Sequence, residues 1–371
     1  MKKLIDICDI QYGYAFDSAY FTENSCYPPL ARIRDVKRGY SETYYSGGYS
    51  EEYILASGDL LVGMDGEFNI ARWKCDGALL NQRVCRLLAK KGTNEEYLRF
   101  AMMKVLKEIE RRTAFVTVKH LSAKELNKLQ LVVPDLSTQN KVAEILSRLE
   151  KIIGLRRQEL KRLDDLIKAR FVELFVGKKY EIVKAGSIIK EMRNGVSPST
   201  SGGHFEKVLT LSAITQGKFD DKAWKEGFFT DCPSAEKRIT EDDFYICRGN
   251  GNKSLVGMGV YALENRPDLV FPDTVIAAHI DTERMVLPYL WIMWQQPEVR
   301  KQLESGARTT NGTYKINQKV ISEIKIICPP INEQEVFADF VKQVNKSKVK
   351  VQKALDETQK LFDSLMQQYF G

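Results

Sequence analysis

The sequence is poor in the residues that build metal sites, disulfide frameworks and membrane spans. Its 371 residues include three histidines, His120, His204 and His279, which lie far apart. Seven cysteines are scattered and odd in number, without a C-x-x-C pair. Neither zinc ligation nor a disulfide scaffold is indicated, and reduced thiols in a cytoplasm are expected. No apolar run approaches bilayer length, and the opening MKKLIDICDI acquires Asp6 and Asp9 where a signal peptide needs an apolar core. A soluble, cytoplasmic protein is the expectation. Strong charge of one sign is also missing: 56 basic against 49 acidic side chains leave a net +7, which permits a polyanionic partner without demanding one.

Catalytic signatures are equally scarce. The strings nearest to the Asn/Asp-Pro-Pro-aromatic motif of amino-methyltransferases are Tyr27-Pro-Pro-Leu30 and Cys328-Pro-Pro-Ile331, and neither has the polar acceptor or the stacking ring. Gly249-Asn-Gly251 and Gly257-Met-Gly259 lack the strand–loop–helix setting of a nucleotide site, and no G-x-x-x-x-G-K-S/T string offers ATP-driven work. Asp65, Glu67 and Lys74 lack the Glu-x-Lys spacing of nuclease ligands, and no nucleophile–base–orienter set is legible. No cofactor or metal site is expected in this chain.

What the sequence does contain is itself, twice. LQLVVPDLSTQNKVAEIL from Leu129 matches IKIICPPINEQEVFADFV from Ile324 at one constant offset, which pairs Pro134 with Pro329, Gln139 with Gln334 and Ala143 with Ala338. VKHLS parallels YKIN, EYLRFAMM parallels PYLWIMWQ, and SGDLLVGMDG parallels TEDDFYICRGNG at shifted offsets, as loop insertions produce.

Each copy ends in a helical segment. Ser137 with Asn140, and Asn332 with Glu335, suit N-cap and N3 positions. Val142, Leu146, Leu149, Ile153, Arg156, Leu160, Leu163, Ile167, Arg170 and Leu174 then recur with alternating spacings of four and three. So do Phe337, Val341, Val344, Lys348, Val351, Leu355, Thr358, Phe362, Leu365 and Tyr369. Gly177 and Gly371 sit where helix stops belong. A stripe repeated at matching positions favours pairing of the two helices over packing of each on its own domain. Arg156, Arg170, Lys348 and Thr358 interrupt it, either to fix register or to snorkel to solvent. The segments ahead of the helices read as mixed α/β, with β-rich runs such as GDLLVGM and FYICR, and an amphipathic helix after Asn94 that has a counterpart from Pro288.

The order variable–helix–variable–helix, with Pro134 to Gln139 and Pro329 to Gln334 leading into the helices, resembles the specificity subunits of Type I restriction-modification systems. GDLLVGMDGEFNIARW, NQRV, PPLARIRDVKRG, NGVSPST and RTTNGTYKIN are similar to strings of that family's target-recognition domains. The resemblance implies an α+β fold with two mixed α/β target-recognition domains, 1–135 and 179–330. Two long antiparallel coiled-coil helices, within 136–178 and 331–371, separate them in a pseudo-two-fold arrangement. It implies a non-catalytic reader of a bipartite asymmetric site on double-stranded DNA, with the helices as a ruler for the unread spacer. Two methyltransferase subunits, and restriction/motor subunits in the full complex, would be its partners. S-adenosylmethionine, ATP and Mg would belong only to those partners. A stand-alone DNA methyltransferase or nuclease, and a coiled-coil adaptor without a nucleic-acid role, remain as rivals.

Reading DNA needs cations for phosphates and hydrogen-bonding side chains for base edges. In the first domain the candidates are Arg32, Arg34 and Lys37; Tyr44, Tyr45 and Tyr49; Asp65, Glu67, Phe68 and Asn69; Arg83; and Arg111, Arg112 and Lys119. In the second they are Arg193, Asn194, Ser197, Ser199 and Thr200; Arg248, Asn250, Asn252 and Lys253; and Arg308, Thr309, Asn311 and Lys315. The loops Arg248–Lys253 and Arg308–Lys315 are favoured as groups, because polar donors cluster there with little apolar purpose.

Overall fold

A computed structural model describes residues 1–112, 120–199, 202–310 and 312–371. The fold is α+β, and the chain divides into two compact units. The first comprises residues 1–158 and 352–371, the second residues 159–351. Among the described residues no helix is long and apolar enough to cross a membrane, and all seven cysteines are unpaired. Burial pushes the Cys8 thiol up to about 12 and that of Cys247 to about 11, so both behave as core hydrophobes.

The first unit is centred on an antiparallel sheet of β1 (Cys8–Tyr12), β2 (Leu60–Gly63), β3 (Asn69–Arg72) and β4 (Val84–Ala89) in the order β1-β4-β2-β3. The second repeats it with β5 (Ile189–Asn194), β6 (Asp243–Cys247), β7 (Gly259–Tyr261) and β8 (Val275–Ile280) in the order β5-β8-β6-β7. β2 is buried along its whole length and so is β6, which is why GDLLVGM and FYICR read as apolar runs without alternation. A smaller sheet accompanies each: Leu30–Ala31 lies parallel to Ala78–Leu80, and His204–Leu209 lies parallel to Arg266–Val270. The amphipathic helix after Asn94 runs Glu95–Arg112, with Asn94 Oδ1 accepting from the Tyr97 amide at 2.9 Å as its cap. Its counterpart is broken into Leu287–Trp294 and Pro297–Gly306, because Pro297 lacks the amide hydrogen that would continue one helix.

The long helices run Leu136–Phe175 and Ile331–Phe370. Their caps differ from the sequence expectation. Asp135 caps the first, accepting from the amide and hydroxyl of Thr138 at 3.1 and 2.7 Å, which places Ser137 inside the first turn. The second starts from the Pro330 carbonyl, which accepts from the amides of Glu333 and Gln334, so Asn332 is likewise internal. Gly177, with φ +81°, turns the chain out of the first helix.

Both stripes face inward: every position from Val142 to Leu174 and from Phe337 to Tyr369 named above is buried or half-buried. In the second unit the helices meet antiparallel. Phe171 and Phe175 each lie 5.7 Å from Phe337, Arg170 stands over Phe340, and Lys348 pairs with Asp164. In the first unit Arg156 donates to the Thr358 hydroxyl and to the Ala354 carbonyl. Two of the interruptions therefore answer each other, the register-fixing role that a lone polar group plays in an apolar seam. Phe171 and Phe175 lie outside the expected stripe, because there the helix also packs on Tyr289 of the same unit.

One junction is built identically in both units. Gln139, 1% exposed, donates from Nε2 to the carbonyls of Pro134 (2.9 Å) and Gly92 (3.2 Å) and accepts from the Asn94 amide (2.9 Å). Gln334, fully buried, donates to Pro329 (2.8 Å) and Arg284 (3.1 Å) and accepts from the Val286 amide (3.1 Å). Nearby, the hydroxyl of Tyr97 donates to the Val132 carbonyl and that of Tyr289 to the Ile327 carbonyl, both at 2.9 Å. The Pro-x-x-x-x-Gln spacing thus ties the first turn of each long helix to the start of the helix that leans on the sheet. Replacing Gln139 or Gln334 by alanine strands a buried amide hydrogen and removes three bonds. Each is expected to cost about 2–4 kcal/mol in urea unfolding, against less than about 0.5 kcal/mol for the exposed Gln158→Ala.

Candidate nucleic-acid interface

In the second unit the two favoured loops come together. Gly249–Asn250, Thr313–Lys315 and Arg308–Thr310 form a three-stranded antiparallel ribbon with Thr313–Lys315 in the middle, pairing Gly249 with Lys315, Asn250 with Tyr314 and Arg308 with Lys315. Arg308, Thr309 and Lys315 are exposed, as is Lys253 in the turn that follows Gly249–Asn250. Arg248 is half-buried and donates to the Asp273 carbonyl at 3.2 Å. Asn250 and Asn252 shape the turn, each accepting a backbone amide two residues on, at 2.9 and 3.0 Å. Asn311 and Thr200 lie outside the described residues, as does Lys119 of the first unit.

Other candidates of this unit stand elsewhere. Asn194 and Ser197 are exposed, and the Ser199 amide donates to the Phe228 carbonyl at 2.7 Å. Arg193 is no free cation. Its side chain is 14% exposed and is paired with Asp243, which is completely buried and also faces His279 Nδ1 at 3.2 Å. The first unit solves the same problem from the opposite strand. Asp59, at the position of Asp243, receives Arg86 Nη1 at 2.8 Å, and Arg86 sits across from Gln11 as Ala277 sits across from Arg193.

In the first unit Arg32 and Arg34 line an open groove of about 720 Å³ with Phe21, Thr22, Glu23, Arg38, Glu42 and Thr43. Arg38, which the sequence did not single out, belongs to it. Lys37 pairs with Glu67 at 3.2 Å, both well exposed. Tyr49 is exposed and Tyr44 half-buried, but Tyr45 is a core residue at 5% exposure and packs on Phe16, so its ring is not presented for stacking. Phe68, also 5% exposed, is likewise core, and Asn69 Nδ2 donates to the Glu67 carbonyl at 3.0 Å. Arg111 and Arg112 are exposed at the end of their helix.

Asp65 and Arg83 form the most constrained feature of this surface. Asp65 is 8% exposed and receives Arg83 Nη1 at 2.5 Å on one oxygen and His120 Nδ1 on the other, while both donors remain well exposed. Arg83 has φ +68°, the only non-glycine residue with positive φ among those described. The left-handed conformation costs a long side chain about 1–2 kcal/mol, and the part-buried bond to Asp65 holds the side chain in place. Backbone bonds hold the turn: the Met64 amide donates to the Arg83 carbonyl at 2.9 Å and the Leu121 amide to the Met64 carbonyl at 2.7 Å. The second unit has the same frame. The Arg248 amide donates to the Thr274 carbonyl and the Ile316 amide to the Arg248 carbonyl, each at 2.8 Å. Asp65 bridges to His120 as Gly249 does to Lys315. Among the described residues no group of three or more His, Cys, Asp or Glu is arranged to hold a metal ion.

The two kinds of arginine separate by experiment. Arg193→Ala leaves Asp243 buried without its main counter-charge and is expected to cost about 3 kcal/mol in thermal or urea unfolding. Arg308→Ala is expected to leave stability within about 0.5 kcal/mol and to lower the salt dependence of DNA binding by about one phosphate.

Comparison with known proteins agrees with this geometry. Residues 1–165 match the family model of the Type I restriction modification DNA specificity domain. Over 163 residues the chain is 38% identical to the Type I restriction enzyme EcoBI specificity subunit of Escherichia coli, which covers 44% of this chain and 34% of that protein. Over 266 residues it is 21% identical to the StySPI specificity subunit of Salmonella potsdam, covering 64% and 55%. The chain therefore spans about a third to a little over half of the length of these curated relatives. Its fold is similar to that of the Type I restriction-modification S subunit from M. genitalium, with a TM-score of 0.59 at 14% identity over 100% of this chain and 95% of that one. A chain solved in work on complex assembly and conformational transition of the type I R-M system gives a TM-score of 0.57 at 15% identity, over 100% and 96%. Residues 1–165 thus match the Type I restriction modification DNA specificity domain, and the chain as a whole has a fold similar to that of S subunits of that system.

Proposed function

We propose that this chain is the DNA-recognition subunit of a Type I restriction-modification assembly, itself without catalytic activity. It reads a bipartite, asymmetric site on double-stranded DNA, one half with each unit. The observation that carries this reading is the duplication: one sheet topology built twice, each time clamped by a buried glutamine to a long helix. Two heads of one design suit two half-sites, and paired helices suit an element that sets the unread spacer. Arg308, Lys315 and Lys253 on the second unit, and Arg32 and Arg34 on the first, supply the cations a duplex requires.

Methyl transfer and cleavage belong, on this reading, to partner subunits, which also hold S-adenosylmethionine, ATP and Mg. Two methyltransferase subunits dock on the frame, and restriction/motor subunits join for cleavage. The long helices offer surface for such docking. Ile145, Ile152 and Leu155 in the first unit, and Leu166 and Val172 in the second, are exposed although the inner stripe is already satisfied. Ile152→Asp combined with Leu155→Asp is expected to abolish co-purification with a methyltransferase subunit and leave the melting temperature unchanged.

The deciding experiment incubates DNA with S-adenosylmethionine and the chain, alone or with its methyltransferase subunit, and maps the methylated positions. Methylation of one two-part sequence only when both proteins are present is the expected result. Methylation by the purified chain alone would make it an enzyme. Absence of salt-sensitive DNA binding even with the partner would leave a coiled-coil adaptor.

A further inference from the structure

We infer that each unit reads bases at the junction shared by the two heads, and that in the first unit Arg83, braced by Asp65, reads a guanine. The inference rests on the recognition role proposed above and names where that recognition is made. The junction is one backbone frame used twice, held by matching hydrogen bonds at Met64 and Arg83 in one unit and at Arg248 and Thr274 in the other. On that constant frame the side chains change completely. Met64, Asp65, Arg83 and His120 in the first unit become Arg248, Gly249, Thr274 and Lys315 in the second. A scaffold kept for stability alone gives no reason to exchange an acid, an arginine and a histidine for glycine, threonine and lysine at positions that share one hydrogen-bond pattern. A reader that meets two different half-sequences gives one.

The chemistry of the first set points to a guanine. Arg83 holds a left-handed backbone conformation, and such strain marks sites where a side chain must be aimed. Asp65, almost buried, occupies Nη1 of Arg83 at 2.5 Å and leaves Nη2 and Nε for a second partner. A guanidinium fixed in this way and 61% exposed matches the paired O6 and N7 acceptors that guanine alone presents in the major groove. His120, held on the other Asp65 oxygen, stops the carboxylate from swinging away. In the second unit Arg248, half-buried, is tethered to the carbonyl of exposed Asp273, with half-buried Thr274 and exposed Lys315 beside it in the frame, so a different base pattern is read there.

The test uses the full chain produced with its methyltransferase subunit in a host free of other DNA methylation, with methylated sites mapped across the genome. Arg83→Lys keeps the charge and loses the fork. Arg83→Gly removes the side chain and relieves the backbone, leaving Asp65 to His120 alone. Both variants are expected to make a single guanine position in one half-site degenerate, with discrimination falling roughly ten- to a hundredfold, and to leave the other half unchanged. Asp65→Asn should relax the same position, and Lys315→Ala should alter only the other half-site. An unchanged motif, an equal loss at every sequence, or degeneracy in both halves each overturns the inference. If the parent assembly itself methylates no two-part sequence, the recognition role fails first, and the two failures stay distinct.

Discussion

A single buried glutamine side chain decides how each head meets its helix. Its two donors and its acceptor are all engaged, by carbonyls at the helix start and the preceding turn and by the amide at the start of the helix that leans on the sheet. Because a buried amide cannot leave those groups unpaired, the three chain segments are fixed together. The aromatic packing completes the joint from the far ends of the helices. Phe370 lies 5.1 Å from Tyr97 in the first unit, and Phe175 lies 4.8 Å from Tyr289 in the second. Each unit therefore seats its head on the beginning of one long helix and the end of the other.

Much of this was legible in the sequence, because periodicity and repetition survive without coordinates. The heptad positions are inward-facing, and the interruptions at Arg156 and Thr358 find each other. The cap positions were less legible. Asp-Leu-Ser-Thr offers three capping residues, and the one nearest the proline wins: Asp135, not Ser137, accepts from the first turn. Phe171 and Phe175 were missed because they pack against a head as well as the neighbouring helix, and a two-column stripe cannot express a third contact.

The candidate site was legible as regions and not as residues. Loops that looked polar and purposeless, Arg248–Lys253 and Arg308–Lys315, do form one ribbon. Tyr45 and Phe68, however, are core side chains from segments rich in turn residues, and composition alone cannot tell an aromatic that points in from one that points out. Arg193 was misread for a deeper reason. A buried carboxylate must be neutralised, but the cation can come from either member of a cross-strand pair. The first unit uses Arg86 against Gln11, and the second uses Arg193 against Ala277. Only strand register reveals that these two arginines do one job.

That exchange separates two kinds of variation between the heads. Where Arg86 is replaced by Arg193, the charge pair is conserved and only its source moves, so the change is neutral for anything outside the protein. At the Met64–Arg83 turn the backbone is conserved and the chemistry is not: a braced guanidinium and an imidazole give way to a threonine and a lysine. Substitution that preserves an interaction points inward, to the fold. Substitution that preserves a frame while replacing every exposed donor and acceptor points outward, to a ligand that differs between the two heads. On the recognition role proposed above, a duplex whose two half-sites differ in sequence is such a ligand, because its sugar–phosphate geometry repeats while its base edges do not.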